Sequence, residues 1–331
     1  MRAAVLQAHG EVPVVGELAD PSPGDGVEVL SVLAGGMNPV DVRIASGTFA
    51  NETHAPPYVA GKEGVGRRAD GSLVYFDASR EPYGAFAERT LVEPSLLLPV
   101  PDGLDPALAV CLGVAGLAAW LPLSWRGGLE AGETVLVLGA SGVVGQIAVQ
   151  AAKLLGAGRV VAAARDPEAL ERAAGLGADA LVALDAGRRA GSSKVLRDAR
   201  RGAGEDLTAA LREAAGGDGF DLVLDPLWGE PARAAIAALK PFGRLVQMGQ
   251  SAGAEATLTS AAVRARPVTI LGYTNYTAPR ELRAAAYAAM AAHAAAGQLE
   301  VRIERLGLDD VPDAWRRVTR SPHAKLVIVP T

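Results

Sequence analysis

The chain has 331 residues, half of them hydrophobic and 21% charged, with a formal net charge of −5. That length suits two domains, and that composition can bury sizeable cores and excludes a disordered chain. The acidic balance argues against a nucleic-acid or anionic-membrane surface, and a lone cysteine, Cys111, excludes an internal disulfide framework and any multi-cysteine metal site.

The chain opens with no basic-then-apolar leader, and no apolar run approaches ~18 residues, so a soluble, cytoplasmic protein is expected. Residues 1–109 are rich in Pro and Gly and carry short apolar runs such as VEVLSVLA and SLVYF, which predict a β-rich unit. From 110 to 298 the texture changes to apolar strands alternating with Ala-rich helices. The strands are TVLVLG, RVVAAA, DALVAL, FDLVLD, GRLVQMG and VTILGY, and about six buried strands in that rhythm predict a doubly wound parallel sheet, an α/β fold. Between Gly187 and Glu205 the chain is rich in Arg, Gly and Ser and reads as a mobile surface loop. ELRAAAYAAMAAHAAAGQL is a clear helix, and the terminal AKLVIVP is a strand that returns residues 299–331 to the first region.

The stretch VLVLGASGVVGQIAVQAAKLLGA, Val135–Ala157, runs from a buried strand through a glycine turn into a helix. Around Ala140, Ser141, Gly142, Val143, Val144 and Gly145 it approximates G-x-G-x-x-G, with Ala140 at the first glycine position. Gly142 lets a pyrophosphate approach the backbone, Gly145 lets helix and strand pack closely, and the helix N-terminus offers N–H groups to phosphate. A plain glycine turn in some other α/β protein is the competing reading. The hydrolase elbow G-x-S-x-G fails because Val143 stands where glycine is required. The second strand ends at Arg165, where a site for NAD places Asp or Glu on the ribose hydroxyls. An arginine there suits a 2′-phosphate, hence NADPH, although a solvated surface arginine beside Asp166 is the alternative. Asp225, Pro226, Met248, Gly249, Gln250 and Tyr273 close later strands at the end where a dinucleotide lies.

Taken together, GGMNPVDVRIASGTF, PPYVAGKEGVG, YGAFAER, GASGVVGQIAVQAAKLLGA, FDLVLDPLWG and GRLVQMGQ make the chain resemble the medium-chain dehydrogenase/reductase superfamily, in its zinc-free quinone oxidoreductase branch. The resemblance covers nearly the whole chain. It implies a GroES-like β-rich catalytic domain from residues 1–109 and 299–331, a Rossmann NADP(H)-binding domain from 110–298, and NADPH-dependent reduction of quinones or conjugated enones. Zinc-dependent relatives carry Cys at the position of Asn38 and His at that of Lys62, and Cys111 alone cannot hold a catalytic zinc, so no metal is expected. Many quinone oxidoreductases also carry Tyr at Arg43 and Thr at Ala118, departures that leave the substrate open.

Without a Lewis acid, alcohol oxidation is disfavoured, whereas a quinone or enone needs only a hydride and donors for its developing oxyanion. Asn38, Asp41 and Tyr58 are the catalytic candidates, and Arg43, Phe49, Trp228, Tyr273, Asn275 and Tyr276 are the candidates to line a substrate site. Asn38 and Asp41 read equally well as turn formers, and the lone aromatics as packing residues. YVAGK, Tyr58 to Lys62, matches the Y-x-x-x-K pair of short-chain dehydrogenases, but it follows Pro56–Pro57 and contains Gly61, so the match is a coincidence. The apolar strand PVTILGYT, last in the sheet, predicts a homodimer through an unpaired edge. Alternatives are a medium-chain enoyl or 2-alkenal reductase, a pathway-specific enone reductase, or an NADPH-binding redox sensor without turnover.

Overall fold

The structure, a computed structural model, describes residues 1–184, 200–201 and 205–330. Short apolar runs broken by glycine and proline fold into β1 (Arg2–Leu6), β2 (Val14–Glu17), β3 (Glu28–Gly36), β4 (Tyr58–Val59), β5 (Glu63–Arg67), β6 (Leu73–Phe76), β7 (Arg89–Val92) and β8 (Leu98–Pro99). The longer apolar runs form β9 (Thr134–Leu138), β10 (Arg159–Ala164), β11 (Ala180–Ala183), β12 (Arg200–Arg201), β13 (Phe220–Asp225), β14 (Leu239–Gln247) and β15 (Thr269–Gly272). The chain closes with β16 (Ile303–Leu306) and β17 (Lys325–Ile328).

Two compact units result, Met1–Leu117 with Pro279–Thr331, and Ala118–Ala278. These boundaries differ from the expected 109/110 and 298/299. The helix Arg280–Ala295 has the Ala-rich texture of the central region, yet it packs on the β-rich unit. There Tyr287 stacks on Tyr75 with ring centroids 4.8 Å apart and donates its hydroxyl to the Ala109 carbonyl at 3.2 Å. Arg283 pairs with Asp77 at 2.8 Å.

In the β-rich unit, β2-β1-β4 make a small antiparallel sheet, and β16-β17-β3-β5-β6-β8 make a larger one, with β7 also on β3. The C-terminal strand β17 pairs Val327 with Gly36 and Ile328 with Gly35, so the terminal strand lies in the β-rich unit next to β3. Leu30, Val32, Phe76, Phe86, Trp315 and Ile328 are among its core residues.

The other unit is a parallel sheet ordered β12-β11-β10-β9-β13-β14-β15. All six expected strands are there. The two-residue β12 adds a seventh at one edge, and the remainder of the expected loop between Gly187 and Glu205 lies outside the described residues. Val135–Leu138 are fully buried, because a parallel strand covered by helices on both faces must be apolar on both. Strand order reverses beside β9: β10 lies on one side and β13 on the other, the switch point at which such sheets leave a crevice at their carboxyl ends. No helix among the described residues is long and apolar enough to cross a membrane.

Candidate functional site

The carboxyl edge of the parallel sheet gathers the candidate dinucleotide contacts, because the residues immediately after β9, β10, β13, β14 and β15 all emerge there. After β9 the chain turns at Gly139, whose φ of +66° favours glycine. Gly139 thus makes the tight turn that the motif assigns to its first glycine; Ala140 is fully buried and bonds through its N–H to Ala163 O at 3.1 Å. Gly142 is the extended N-cap of the helix Val143–Leu154, whose first bond runs from Gln146 N to Gly142 O, so the N–H groups before Gln146 have no intrahelical acceptor. A Cβ on Gly142 would meet only Gly139 O, at 3.5 Å, which leaves this face of the turn open for a phosphate. A Cβ on Gly145 would instead lie 2.3 Å from Gly139 O and 2.5 Å from Ala140 Cα, so its role is close helix–strand packing. Gln146, which the motif does not flag, is buried and braces the turn by donating Nε2–H to Ser141 O at 3.1 Å.

Arg165 follows β10 with its side chain exposed. Its neighbour Asp166 is the N-cap of the helix Pro167–Gly175 and accepts from Ala169 N at 2.8 Å. Asp225 closes β13 at this edge with its side chain fully buried. Its Oδ1 accepts from Leu227 N and Trp228 N, each at 2.9 Å, while its Oδ2 is buried without a partner. Burial pushes this carboxyl up to about 6. Asp225 shapes the turn after β13, where Trp228 takes a φ of +56° and packs on the unit's core instead of standing free as a stacking platform. That turn ties to the next, since Met248 N donates to Asp225 O at 2.9 Å, Ala252 N donates to Leu227 O at 2.8 Å, and a Cβ on Gly249 would sit 2.5 Å from Pro226 O. Beyond β15, Tyr273 gives its hydroxyl to Asn275 Oδ1 at 2.7 Å and meets the ring of Trp125 edge-on at 6.4 Å, with Tyr276 exposed nearby in sequence.

The β-rich unit holds a second constellation. Asn38 caps the helix Pro39–Ala45 and donates both amide hydrogens internally, to Gly36 O at 3.1 Å and to Glu63 Oε1 at 2.7 Å. Its Oδ1 accepts from Lys325 Nζ at 2.6 Å. Every amide hydrogen is therefore spent, and Asn38 joins a buried network instead of presenting the free oxyanion donor expected of it. Glu63, which lies in PPYVAGKEGVG but is not among the site candidates, is the hub: it accepts from Lys325 at 2.7 Å, Tyr75 OH at 2.9 Å and Val114 N at 2.6 Å. Asp41 accepts from Asn38 N at 2.7 Å and Lys62 N at 2.8 Å, and burial pushes its carboxyl up to about 6.

Asp41 and Tyr58 do converge, in a pocket of about 70 Å³ that is also lined by Glu52, His54, Lys62 and Glu81. Tyr58 lies in β4 and Lys62 follows in a bend, so they share no helix face, and the Y-x-x-x-K match is a coincidence in the fold as well. Burial above all, and then the neighbouring carboxylates, push the Tyr58 hydroxyl up to about 12, so it stays a hydrogen-bond donor. His54 lies between Glu81 at 2.6 Å and Glu52 at 3.0 Å, and Lys62 pairs with Glu52 at 2.6 Å. Arg43 and Phe49 face each other, guanidinium carbon 4.7 Å from the ring centroid, a cation–π pair outside the pocket's lining.

Asn38, Lys62 and Cys111 are the positions that the resemblance sets against zinc ligands. Asn38 and Lys62 are committed to Glu63, Lys325 and Glu52, and burial pushes the Cys111 thiol up to about 12, against formation of a thiolate. Among the described residues no group of three or more His, Cys, Asp or Glu could hold a metal ion.

Residues 143–292 match the family model described as zinc-binding dehydrogenase. Over 317 residues, 92% of this chain, the sequence is 30% identical to a phenolphthiocerol/phthiocerol polyketide synthase component of Mycobacterium tuberculosis, of which the match spans only 14%. It is 32% identical over 148 residues to the quinone oxidoreductase of Pongo abelii, covering 42% of this chain and 45% of that one. The chain thus spans less than half the length of either curated relative. The quinone oxidoreductase of Thermus thermophilus, solved also in complex with NADPH, superposes with a TM-score of 0.78 over 99% of this chain and 100% of its own at 28% identity.

Proposed function

The chain belongs to the medium-chain dehydrogenase/reductase superfamily, and from that premise we propose that it is an NADPH-dependent oxidoreductase that reduces a quinone or a conjugated enone without zinc. NADPH, when bound, supplies the hydride. The reading of its phosphate end rests on the end of β10: Asp166, the one carboxylate adjacent to Arg165, caps a helix, while Arg165 is exposed and open to a 2′-phosphate. The Gly139–Gly145 turn takes the pyrophosphate on the helix N-terminus, with the turns at Pro226 and Met248–Gln250 alongside. Of the catalytic candidates, Tyr58, whose hydroxyl keeps its proton, is the donor proposed for the oxygen of the acceptor, while Asp41 holds the Lys62 main-chain N–H.

The test is oxidation of NADPH and NADH by the intact protein with simple quinones and enones. Turnover with NADPH, little with NADH, and indifference to chelators are expected. Equal use of both cofactors overturns the Arg165 assignment, and NADPH binding with no turnover of any acceptor leaves the redox-sensor alternative.

The match to a polyketide synthase component over 317 residues favours a second reading for the acceptor, an enoyl thioester or 2-alkenal. A panel pairing benzoquinone with enoyl thioesters separates the two. The edge strand β15, with Ile270 at its exposed face, is proposed to pair with a second copy into a homodimer. A monomer by light scattering at micromolar concentration refutes it.

A further inference from the structure

Arg68, Arg233, Arg244 and Arg317 each pair with a carboxylate. Two arginines of the unit Ala118–Ala278 do not. Arg212, in the last turn of the helix Glu205–Ala215, donates from Nη2 to Ala237 O. Arg266, between the helix Ser260–Arg264 and β15, donates from Nη1 to Leu239 O at 3.4 Å. Ala237 ends the helix Gly229–Ala237 and Leu239 opens β14, so two distant segments set their guanidiniums on main-chain carbonyls two residues apart. Neither guanidinium meets a carboxylate among the described residues, and the Arg212 Nε–H is buried with no acceptor. Asp221, at the start of β13, is already held by Lys240 at 2.7 Å and by Thr134 N at 2.8 Å. Both arginines lie at the amino edge of the parallel sheet, opposite the turns that follow β9, β10, β13 and β14.

We propose that Arg212 and Arg266 form an anion site at this edge, one that takes a phosphate-class dianion, either inorganic phosphate or the head of a phosphomonoester. A dianion matches two guanidiniums in charge, whereas a carboxylate neutralises only one. Its oxygens accept the N–H donors that the two carbonyls leave over, the buried Arg212 Nε–H among them. A buried charged donor without an acceptor is costly, and bringing a second positive charge beside it adds to the cost; a bound dianion relieves both. Burial above all, and then the like charge of Arg266, pull the Arg212 guanidinium below its ordinary value, and no carboxylate acts the other way. The carboxyl ends of the helices Glu205–Ala215 and Gly229–Ala237 offset about half a charge each, which leaves the pair positive. The site is independent of the reading of the chain as a reductase, since neither hydride nor acceptor takes part.

The experiment follows the melting midpoint of the full chain against inorganic phosphate, with sodium chloride and sodium acetate at matched ionic strength. The proteins compared are the natural one, Arg212→Gln, Arg266→Gln, and a Gly142→Val, Arg165→Ala double variant as control for phosphate bound at the dinucleotide turns. Phosphate should raise the midpoint where chloride and acetate do not, and each arginine variant should weaken its apparent affinity by about tenfold or more. The control should keep the response that the arginine variants lose. Glycerol phosphate is titrated beside the inorganic ion: an equal response supports the site and assigns it to phosphomonoesters too, and a response to inorganic phosphate alone supports it as a site for the free ion. Equal responses to phosphate, acetate and chloride overturn the proposal, as does a response kept by both arginine variants or lost in the control alone. Should neither arginine variant fold, NMR of the natural protein decides the point, because an Arg212 Nε–H resonance that phosphate does not move overturns the site by itself.

Discussion

Lys325 and Glu63, 262 residues apart in the chain, meet at 2.7 Å with their side chains 2% and 0% exposed. Such a pair is weak evidence for net stability, since desolvating both ions offsets much of their attraction. Breaking it is another matter. Lys325→Met would leave Glu63 buried, with Tyr75 OH, Val114 N and the Asn38 amide as its remaining partners. The expected cost is about 3–5 kcal/mol, read as a lower urea midpoint. Adding Glu63→Gln removes the stranded charge and should recover part of the loss; a double variant no more stable than Lys325→Met would contradict this account.

The two glycines of the turn around Val143 should respond oppositely to a side chain. The Cβ of Gly142→Val meets only an ordinary contact with Gly139 O and the residue keeps an allowed φ of −78°, so the protein should fold and lose NADPH. Gly145→Ala drives a methyl into backbone at 2.3 Å and should lower the melting temperature before affinity is at issue. Normal NADPH binding by folded Gly142→Val would reduce the stretch to a plain turn.

The sheet is legible in the sequence because a strand buried on both faces must be a continuous apolar run, and six such runs stand out between turns. The seventh strand, Arg200–Arg201, has no apolar signature to read. The phosphate turn is legible as a cluster but shifted by one residue: the motif aligns Ala140 with the first glycine, whereas the positive φ that requires glycine is a backbone property, found at Gly139. The pocket is the least legible part. Tyr58 and Asp41 are candidates by type, but Glu52, His54 and Glu81 of the pocket, like Lys325 of the buried network, look like solvated surface charges until folding joins distant segments. Lys325 reaches Asn38 across 287 positions, a partnership that no local pattern encodes.

Arg165→Ala tests the phosphate end of the cofactor. Loss of a charge-assisted contact should cost on the order of 1.5–3 kcal/mol, about ten- to a hundredfold in NADPH affinity, with NADH nearly unaffected. Titration of both cofactors followed by fluorescence decides it, because a solvated surface arginine would leave the two affinities in their original ratio. Asp166 is a poor control, since its removal also strips the cap from the helix Pro167–Gly175.

Asp225 carries the last prediction, in which stability depends on pH with a definite sign. Its carboxyl titrates at about 6 in the folded protein against 3.8 for an ordinary aspartate, with burial opposing ionisation more than its two backbone hydrogen bonds favour it. Between those values the folded chain keeps a proton that the unfolded chain has released. Stability therefore falls as pH rises from about 4 through about 6, the reverse of a salt-bridged carboxylate. Asp225→Asn keeps Oδ1 as acceptor for Leu227 N and Trp228 N and removes the buried charge, whose Oδ2 has no partner. The variant should match the natural protein near pH 4 and exceed it at pH 8 by on the order of 1–3 kcal/mol. Thermal melts at the two pH values decide the point: an advantage that is equal at both, or confined to acid, would mean that Asp225 is not held protonated by burial.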